Sequence, residues 1–316
     1  MLLSIVFSFR NEEENIKELV NRIDLVVRDI GQLSHELIFV NDDSTDGSLD
    51  ILLALQKEHP IRIINMSRCF GVTPCLLAGF EKASGDAIIC MDSDLQDPPE
   101  LIPQLLERFN DGIEVVHTTR THRDGESALK MWLTKRAYNI INYFSDIHLP
   151  ENTGDFKLLS RKVVNEILNL PEYDPYMRGL SVWVGYKQDF VFYRREARFG
   201  GTTHFPLFSK GPIREFFRGL TAFSAAPLYF SLLIGFITFL FSISLIIYAL
   251  ITKFIGVAMP GSTGILITVS FFSGIILVTN GLIGLYIASI YNEVKKRPRY
   301  IIKNIIEPKI NESEDT

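Results

Sequence analysis

Short apolar runs alternate with stretches of helical period over the first 120 or so residues. Residues 2–8, 37–40, 61–66, 87–91 and 115–119 read as strands, most of them buried on both faces. Between the first two, Ile16, Leu19, Val20, Ile23, Val26, Val27 and Ile30 recur at steps of three and four, which is one apolar face of a helix. Strand and helix alternating at this spacing predict an α/β domain with a mostly parallel sheet covered on both sides. Such sheets take their ligands beyond the carboxyl ends of the strands, so polar clusters that follow a strand carry the most weight.

The pattern changes near residue 208. Residues 208–226 mix Lys210, Arg214 and Arg218 with Phe216, Phe217, Leu220 and Phe223, as an amphipathic segment on a membrane surface does. Residues 228–250 and 265–291 then carry no charged side chain, and each run exceeds the roughly 20 residues needed to cross a bilayer. The loop expected between them, 251–264, is short and holds Pro260, Gly261 and Gly264, so the two spans form a hairpin. Lys210, Arg214 and Arg218 precede the hairpin, Lys295, Lys296, Arg297, Arg299 and Lys303 follow it, and the loop has Lys253 alone. This asymmetry puts both termini in the cytosol and the protein in the cytoplasmic (inner) membrane as a multi-pass protein. The expected organisation is a catalytic domain over 1–207, a juxtamembrane segment over 208–226, two transmembrane helices within 227–292, and a basic then acidic tail over 293–316.

Composition fits this division: 47% of the 316 residues are hydrophobic, yet 22% are charged. A net charge of −5 gives no footing for nucleic acid as a partner. Cys69, Cys75 and Cys90 are odd in number and lack CxxC spacing, which reads as reduced thiols. The first apolar run has no basic residues before it and is too short for a signal peptide, so it reads as a buried strand.

The candidate chemistry sits at strand ends. The run 87–91 leads into Asp92-Ser93-Asp94-Leu95-Gln96-Asp97-Pro98-Pro99. Asp92 and Asp94, two apart in an extended chain, point the same way and repel unless a cation lies between them. Mg²⁺ or Mn²⁺ binds carboxylates together with substrate phosphates and neutralises a leaving diphosphate. Asp97 before Pro98 reads instead as a helix N-cap. Val40-Asn41-Asp42-Asp43-Ser44-Thr45-Asp46-Gly47 follows another strand, and its acids either meet a ribose and base or cap the next helix. Ser8-Phe9-Arg10-Asn11-Glu12 closes the first strand, with the same two readings.

With Gly154-Asp155-Phe156, Arg178-Gly179, Trp183-Val184-Gly185 and Lys295-Lys296-Arg297-Pro298-Arg299-Tyr300, these strings resemble the polyprenyl-phosphate branch of family-two GT-A glycosyltransferases. That branch includes bactoprenol glucosyltransferases of O-antigen modification and dolichyl-phosphate mannose synthases. The resemblance covers nearly the whole chain. It implies inverting transfer of a hexose, glucose as first choice, from a UDP-sugar to polyprenyl (undecaprenyl) phosphate, giving a lipid-linked donor for lipopolysaccharide and other surface glycans. By motif it implies that Glu12, Asp42 and Asp92 hold the nucleotide, that Asp94 and Gln96 lie at the Mg²⁺ or Mn²⁺ ion, and that Asp155 is catalytic. It assigns Arg198 and His204 to the donor diphosphate. Arg120 is matched to the acceptor phosphate, and the basic residues that follow it, Arg123, Lys130 and Arg136, join it there. It implies a homo-oligomer, a tetramer, docked on the lipid bilayer.

The chain departs from the family at Ser8-Phe9-Arg10, where Pro-x-Tyr is usual, at Cys69-Phe70-Gly71-Val72, where Asn-Phe-Gly-Lys is usual, and at His204, where lysine is usual. Three other readings stay open. A GDP-mannose-dependent mannosyltransferase is separable by a donor screen, and a non-catalytic membrane scaffold by any turnover. A processive synthase would bring more spans and a Gln-x-x-Arg-Trp string, and Trp183 lacks the Gln and Arg.

Overall fold

The computed structural model describes residues 1–31, 33–123, 136, 139, 140, 142–145, 147–150, 152–195, 218, 219, 221–255 and 261–308. The chain divides into two units. One comprises Met1–Tyr143, Ile147–Gly219 and Pro298–Thr316; the other comprises Phe144–Asp146 and Leu220–Arg297.

The first unit is built on one eight-stranded sheet. Its strands are β1 (Leu2–Phe9), β2 (Ser34–Asn41), β3 (Ile61–Met66), β4 (Ala87–Asp92), β5 (Val115–Arg123), β6 (Thr153–Ser160), β7 (Gln188–Arg195) and β8 (Ile302–Ile306), in the order β7-β5-β6-β4-β1-β2-β3-β8. β1 runs parallel to β2 and β4, β2 to β3, and β5 to β7. Only β6, between β4 and β5, and β8, beside β3, are antiparallel. This is the mixed, mostly parallel α/β sheet expected of a GT-A domain.

Its helices are α1 (Ile16–Ile30), α2 (Ser48–Leu55), α3 (Val72–Lys82), α4 (Ile102–Asn110), α5 (Arg161–Asn169) and α6 (Met177–Trp183). Side chains alternate across a strand, so β1 feeds two cores. Leu3, Ile5, Phe7 and Phe9 pack with α1, with Leu52 of α2 and with Ile102, Leu105 and Leu106 of α4. Val6 faces the other way, towards α3, Val163, Val164 and Ile167 of α5, and Met177 of α6. Each such buried side chain contributes roughly 1.5–3 kcal/mol. The apolar face read over 16–30 is the buried face of α1, and Gly31 at φ 88° ends that helix. At Gly79 of α3 a Cβ would lie 2.3 Å from Val6 Cγ1, so α3 can sit this close to β1 only without one.

β8 is not among the expected strands. Residues 293–316 read as a tail, yet Ile302–Ile306 is the edge strand beside β3, paired Ile63 to Ile306 and Ile64 to Ile305. Gln56 Nε2 donates to Ile61 O (2.8 Å), Ile306 O (3.2 Å) and Glu307 O (3.0 Å), and Arg62 pairs with Glu307 (2.8 Å). Tyr300 donates to Glu81.

The second unit is a pair of long helices, α7 (Ala226–Ile255) and α8 (Gly261–Val294). The loop expected over 251–264 is therefore helical over 251–255 and 261–264, because Thr252 and Lys253 alone do not break a helix. Ala226–Thr252 and Phe271–Val294 are long and apolar enough to cross a membrane, and they expose Leu232 and Leu277 by 72% each. Helix hydroxyls fold back onto carbonyls of the preceding turn, Thr238 to Ile234 O (2.7 Å) and Ser242 to Thr238 O (2.9 Å), which leaves fewer polar groups for lipid to meet. Phe241 packs against Phe271 and Phe272 between the helices. A Cβ added at Gly274, Gly281 or Gly284 meets nothing within 4 Å, so this contact does not depend on them.

Candidate active site

Three parallel strands end side by side. The register pairs Ser8 with Asp92 and Phe9 with Asn41, which brings the three polar strings of the sequence to one edge of the sheet.

The loops after β1 and β2 are bonded together. Asn11 (φ 57°) accepts from Thr45 N (2.8 Å) through Oδ1, and Glu13 accepts from Gly47 N (2.7 Å). Glu12 is buried, its N–H donating to Ser48 Oγ (2.9 Å) and its carboxylate accepting from Asn15 Nδ2 (2.5 Å). The two readings of the second string divide between residues. Asp46 turns the chain into α2, accepting from Ser48 N (3.1 Å). The buried Asp42 faces elsewhere and accepts from Phe70 N (2.6 Å) and Gly71 N (2.9 Å) ahead of α3. Cys69, in place of the family's asparagine, donates to Asp42 (3.2 Å) and accepts from Arg10 (3.1 Å).

β4 delivers Asp92 and Asp94. Asp94 accepts from Gln96 N (3.2 Å), and between them Leu95 is buried at φ 59°. A leucine in the left-handed region is strained, and such strain gathers at functional turns. Burial first, then the charges of Asp94, Asp97 and Asp155, push the Asp92 carboxyl up to about 7.

Asp155 sits in an irregularity of β6. His117 pairs with Lys157 but Thr119 pairs with Thr153, so Thr118 alone faces Gly154, Asp155 and Phe156. A bulge of this kind re-aims side chains. Arg178 of α6 holds Asp155 by a two-pronged pair, Nε to Oδ1 at 3.2 Å and Nη2 to Oδ2 at 3.0 Å. Burial pushes the Asp155 carboxyl up, but Arg178, Lys157 and Arg120 outweigh it and hold Asp155 below the ordinary carboxylate range. Lys157, buried two residues on, donates to Ser181 Oγ (3.0 Å), and burial lowers its pKa.

Arg120 lies inside β5. Its Nη2 meets Asp97 at 3.3–3.4 Å and its Nε donates to Tyr193 Oη at 2.9 Å, while Tyr193 Oη donates to Asp97. This corrects the reading of Asp97 as an N-cap. The turn Pro99–Leu101 and α4 have no side-chain cap, and Asp97 is fully buried in an ion pair instead. The left-handed turn at Leu95 accompanies this inward course.

Among the predicted residues, the structure thus gathers Asp92, Asp94, Asp155 and Arg120 into one electrostatic cluster. Glu12 and Asp42 lie at the neighbouring strand ends. Arg136 is exposed. Lys130, Arg198 and His204, the side chain of Arg123, and most of the 208–226 segment lie outside the described residues. Sequence reasoning gave no role to Lys157, Tyr193 or Arg178. Arg178-Gly179 carried a family signal without a partner, and Tyr193 looks like any strand aromatic.

A divalent ion fits this cluster. Four carboxylates (Asp92, Asp94, Asp97, Asp155) face three cations (Arg120, Arg178, Lys157), and the raised Asp92 pKa marks charge that a cation would relieve. Among the described residues no three acidic, His or Cys side chains form a ready-made cage. Two carboxylates with phosphate and water completing the shell is the usual habit of Mg²⁺.

Residues 4–168 match glycosyl transferase family 2, and the chain belongs to that family. It is similar to the uncharacterized glycosyltransferase sll0501 of Synechocystis, 39% identical over 305 residues, 96% of this chain and 95% of the relative. It is similar to the prophage bactoprenol glucosyl transferase homolog of Escherichia coli, 36% identical over 96% of this chain and 99% of the relative. The SfII prophage-derived bactoprenol glucosyl transferase of Shigella flexneri is 37% identical over 96% and 98%. A solved glucosyl-3-phosphoglycerate synthase from Mycobacterium tuberculosis, in complex with Mn²⁺, UDP-Glc and phosphoglyceric acid, aligns at 19% identity and a TM-score of 0.46 over 70% of this chain and 77% of its own. The chain is a glycosyltransferase with a GT-A-like fold.

Proposed function

We propose that this glycosyltransferase moves glucose from a UDP-sugar to a polyprenyl phosphate such as undecaprenyl phosphate, with inversion, at the cytoplasmic face of the inner membrane. The observation that carries the reading is an ionised Asp155 held by Arg178 beside the Asp92–Asp94 strand end, in a chain whose other unit is an apolar helix pair. Near-full-length likeness to bactoprenol glucosyl transferases supports the sugar and the acceptor.

A phosphate monoester with a second pKa of about 6 is largely dianionic at neutral pH and needs little help from a base. Positioning and charge management are then the main tasks. Asp155 orients the acceptor or the sugar. Arg120 meets the acceptor phosphate, with Arg123, Lys130 and Arg136 as further cations on its path. Glu12 and Asp42 hold the nucleoside, with Asp92 beside the ribose. Arg198 and His204 meet the donor diphosphate. Asp94, with Gln96, holds Mg²⁺ or Mn²⁺, which neutralises charge on the leaving diphosphate when bound. The product serves as a lipid-linked sugar for O-antigen or other surface glycan.

The chain before and after the helix pair belongs to one folded unit, which supports a hairpin with both ends on one side of the bilayer. The basic flanks favour the cytosolic side. A homo-oligomer, as a tetramer, completes the proposal.

The test is incubation of membranes with labelled UDP-glucose, other UDP-sugars and GDP-mannose, followed by lipid extraction. Label in a mild-acid-labile polyprenyl lipid from UDP-glucose is expected. Label from GDP-mannose alone would move the donor assignment, and no lipid label from any donor would remove the reading.

A further inference from the structure

We propose that Asp97 and Tyr193 form a buried clamp that aims Arg120, which makes both of them positioning residues for the phosphate acceptor. The inference rests on the assignment of Arg120 to that phosphate.

Three groups close a ring of bonds. Arg120 gives Nε to Tyr193 Oη (2.9 Å) and Nη2 to Asp97 (3.3–3.4 Å), and Tyr193 Oη donates to Asp97 Oδ1. The guanidinium is thus held along one edge, and its Nη1 donates to no group among the described residues. A guanidinium offers five N–H groups in a rigid fork, so fixing one edge fixes the direction of the rest.

The surroundings are shaped to the same end. β5 and β7 pair Arg120 directly with Tyr193, and their register slips just beyond, between Arg120 and His122. Gly154, at the β6 bulge, lies under the guanidinium. A Cβ there would stand 2.5 Å from Nη2 and 3.0 Å from Cζ. The Tyr193 ring meets Phe156 edge-on, centroids 6.3 Å apart. Asp97 is fully buried, and a carboxylate so placed is costly unless paired. Its pairing with Arg120 lowers the net charge offered to a ligand, so what the arrangement gains is direction. The Coulomb coupling of Arg120 to Asp92 and Asp155 places that directed group at the reacting cluster.

The test uses the full-length enzyme in detergent with UDP-glucose and undecaprenyl phosphate. Tyr193→Phe and Asp97→Asn are expected to lower kcat/KM for the lipid by about 10- to 100-fold, the scale of a misaimed positioning group. The Kd for UDP, by calorimetry, should stay within about two-fold, since the clamp bonds run among Arg120, Asp97 and Tyr193 and not to Glu12 or Asp42. Gly154→Ala, which displaces the guanidinium while leaving the Asp97 and Tyr193 side chains in place, should give the same lipid-specific loss. In a double-mutant cycle, Tyr193→Phe should add nothing to Arg120→Ala, because it acts through that residue. Additive losses, or UDP affinity falling in step with turnover, would overturn the clamp in favour of a general structural role. If Arg120→Ala is disabled for the lipid while Tyr193→Phe and Asp97→Asn match wild type, the clamp alone falls. If Arg120→Ala leaves the lipid dependence unchanged, the acceptor assignment falls and the clamp with it.

Discussion

Arg178 grips Asp155 through both carboxylate oxygens, at 3.2 Å and 3.0 Å, from a helix 23 residues further along the chain. The pair keeps a half-buried acid charged against the upward push of its burial. Asp155→Asn keeps the shape and removes the charge. Turnover should fall by about 100-fold or more, the scale of losing one preorganised electrostatic contact. The Kd for UDP should change little, because a contact used in the transition state lowers kcat and leaves ground-state binding alone. Calorimetry with UDP beside a turnover assay checks this. Equal loss of UDP affinity and thermal stability would instead mark Asp155 as a structural pin of the β6 bulge.

Asp94 lies where the site carries more carboxylates than cations, and it turns the chain through Gln96 N. Asp94→Ala should weaken Mn²⁺ binding, read by electron paramagnetic resonance with UDP present, and lower turnover by at least ~100-fold. Excess EDTA should stop the wild-type enzyme. Undiminished Mn²⁺ binding by the variant would remove Asp94 from the ion.

The parallel half of the sheet was legible because each strand was a short apolar run and the first intervening helix, over 16–30, showed its period. Asp92 and Asp94 were legible as acids closing an apolar strand, whereas Asp155, near the start of β6, came from the family motif alone. Asp97 was misread because Asp before Pro-Pro is the local signature of a helix start, and only the fold brings Tyr193 and Arg120, 96 and 23 residues away, onto it. β8 was hidden because Ile302–Ile306, beside so many basic residues, looks like a tail until β3 supplies a partner. Long-range pairing of this kind leaves no periodic trace.

The strand after the helix pair sets a topological demand. If β8 must reach β3, the segment ending at Arg297 cannot emerge on the far side of the bilayer from β3. A thiol introduced as Gly261→Cys should react with an impermeant maleimide added to intact cells. One introduced as Lys303→Cys should react only after permeabilisation. Cys75 and Cys90 are buried, and Cys69 is replaced by Ser to clear the background. Labelling of Lys303→Cys from outside would reverse the proposed orientation.

His117 offers a pH test of the core. It is fully buried against Phe190, ring centroids 5.2 Å apart, with Nε2 3.0 Å from Gln188 Oε1 and Nδ1 without a partner among the described residues. Burial, helped by the charge of Lys157 and opposed by Gln188, pushes its pKa down to about 4. The unfolded value is about 6.5, so the unfolded chain takes up this proton first. The stability that depends on a neutral His117 is therefore complete above about pH 6.5 and is lost as pH falls from there towards 4. A gap of roughly 2.5 pK units corresponds to about 3 kcal/mol, or a Tm difference on the order of 10 °C for a domain of this size. Melting curves of the detergent-solubilised protein at pH 7, 5.5 and 4 should show wild type losing Tm faster than His117→Gln, which cannot charge. Carboxylates titrating in the same range act alike in both proteins and cancel in the difference. Parallel curves would mean that His117 takes up its proton in place, with the charge accommodated by water or by a shift of Gln188.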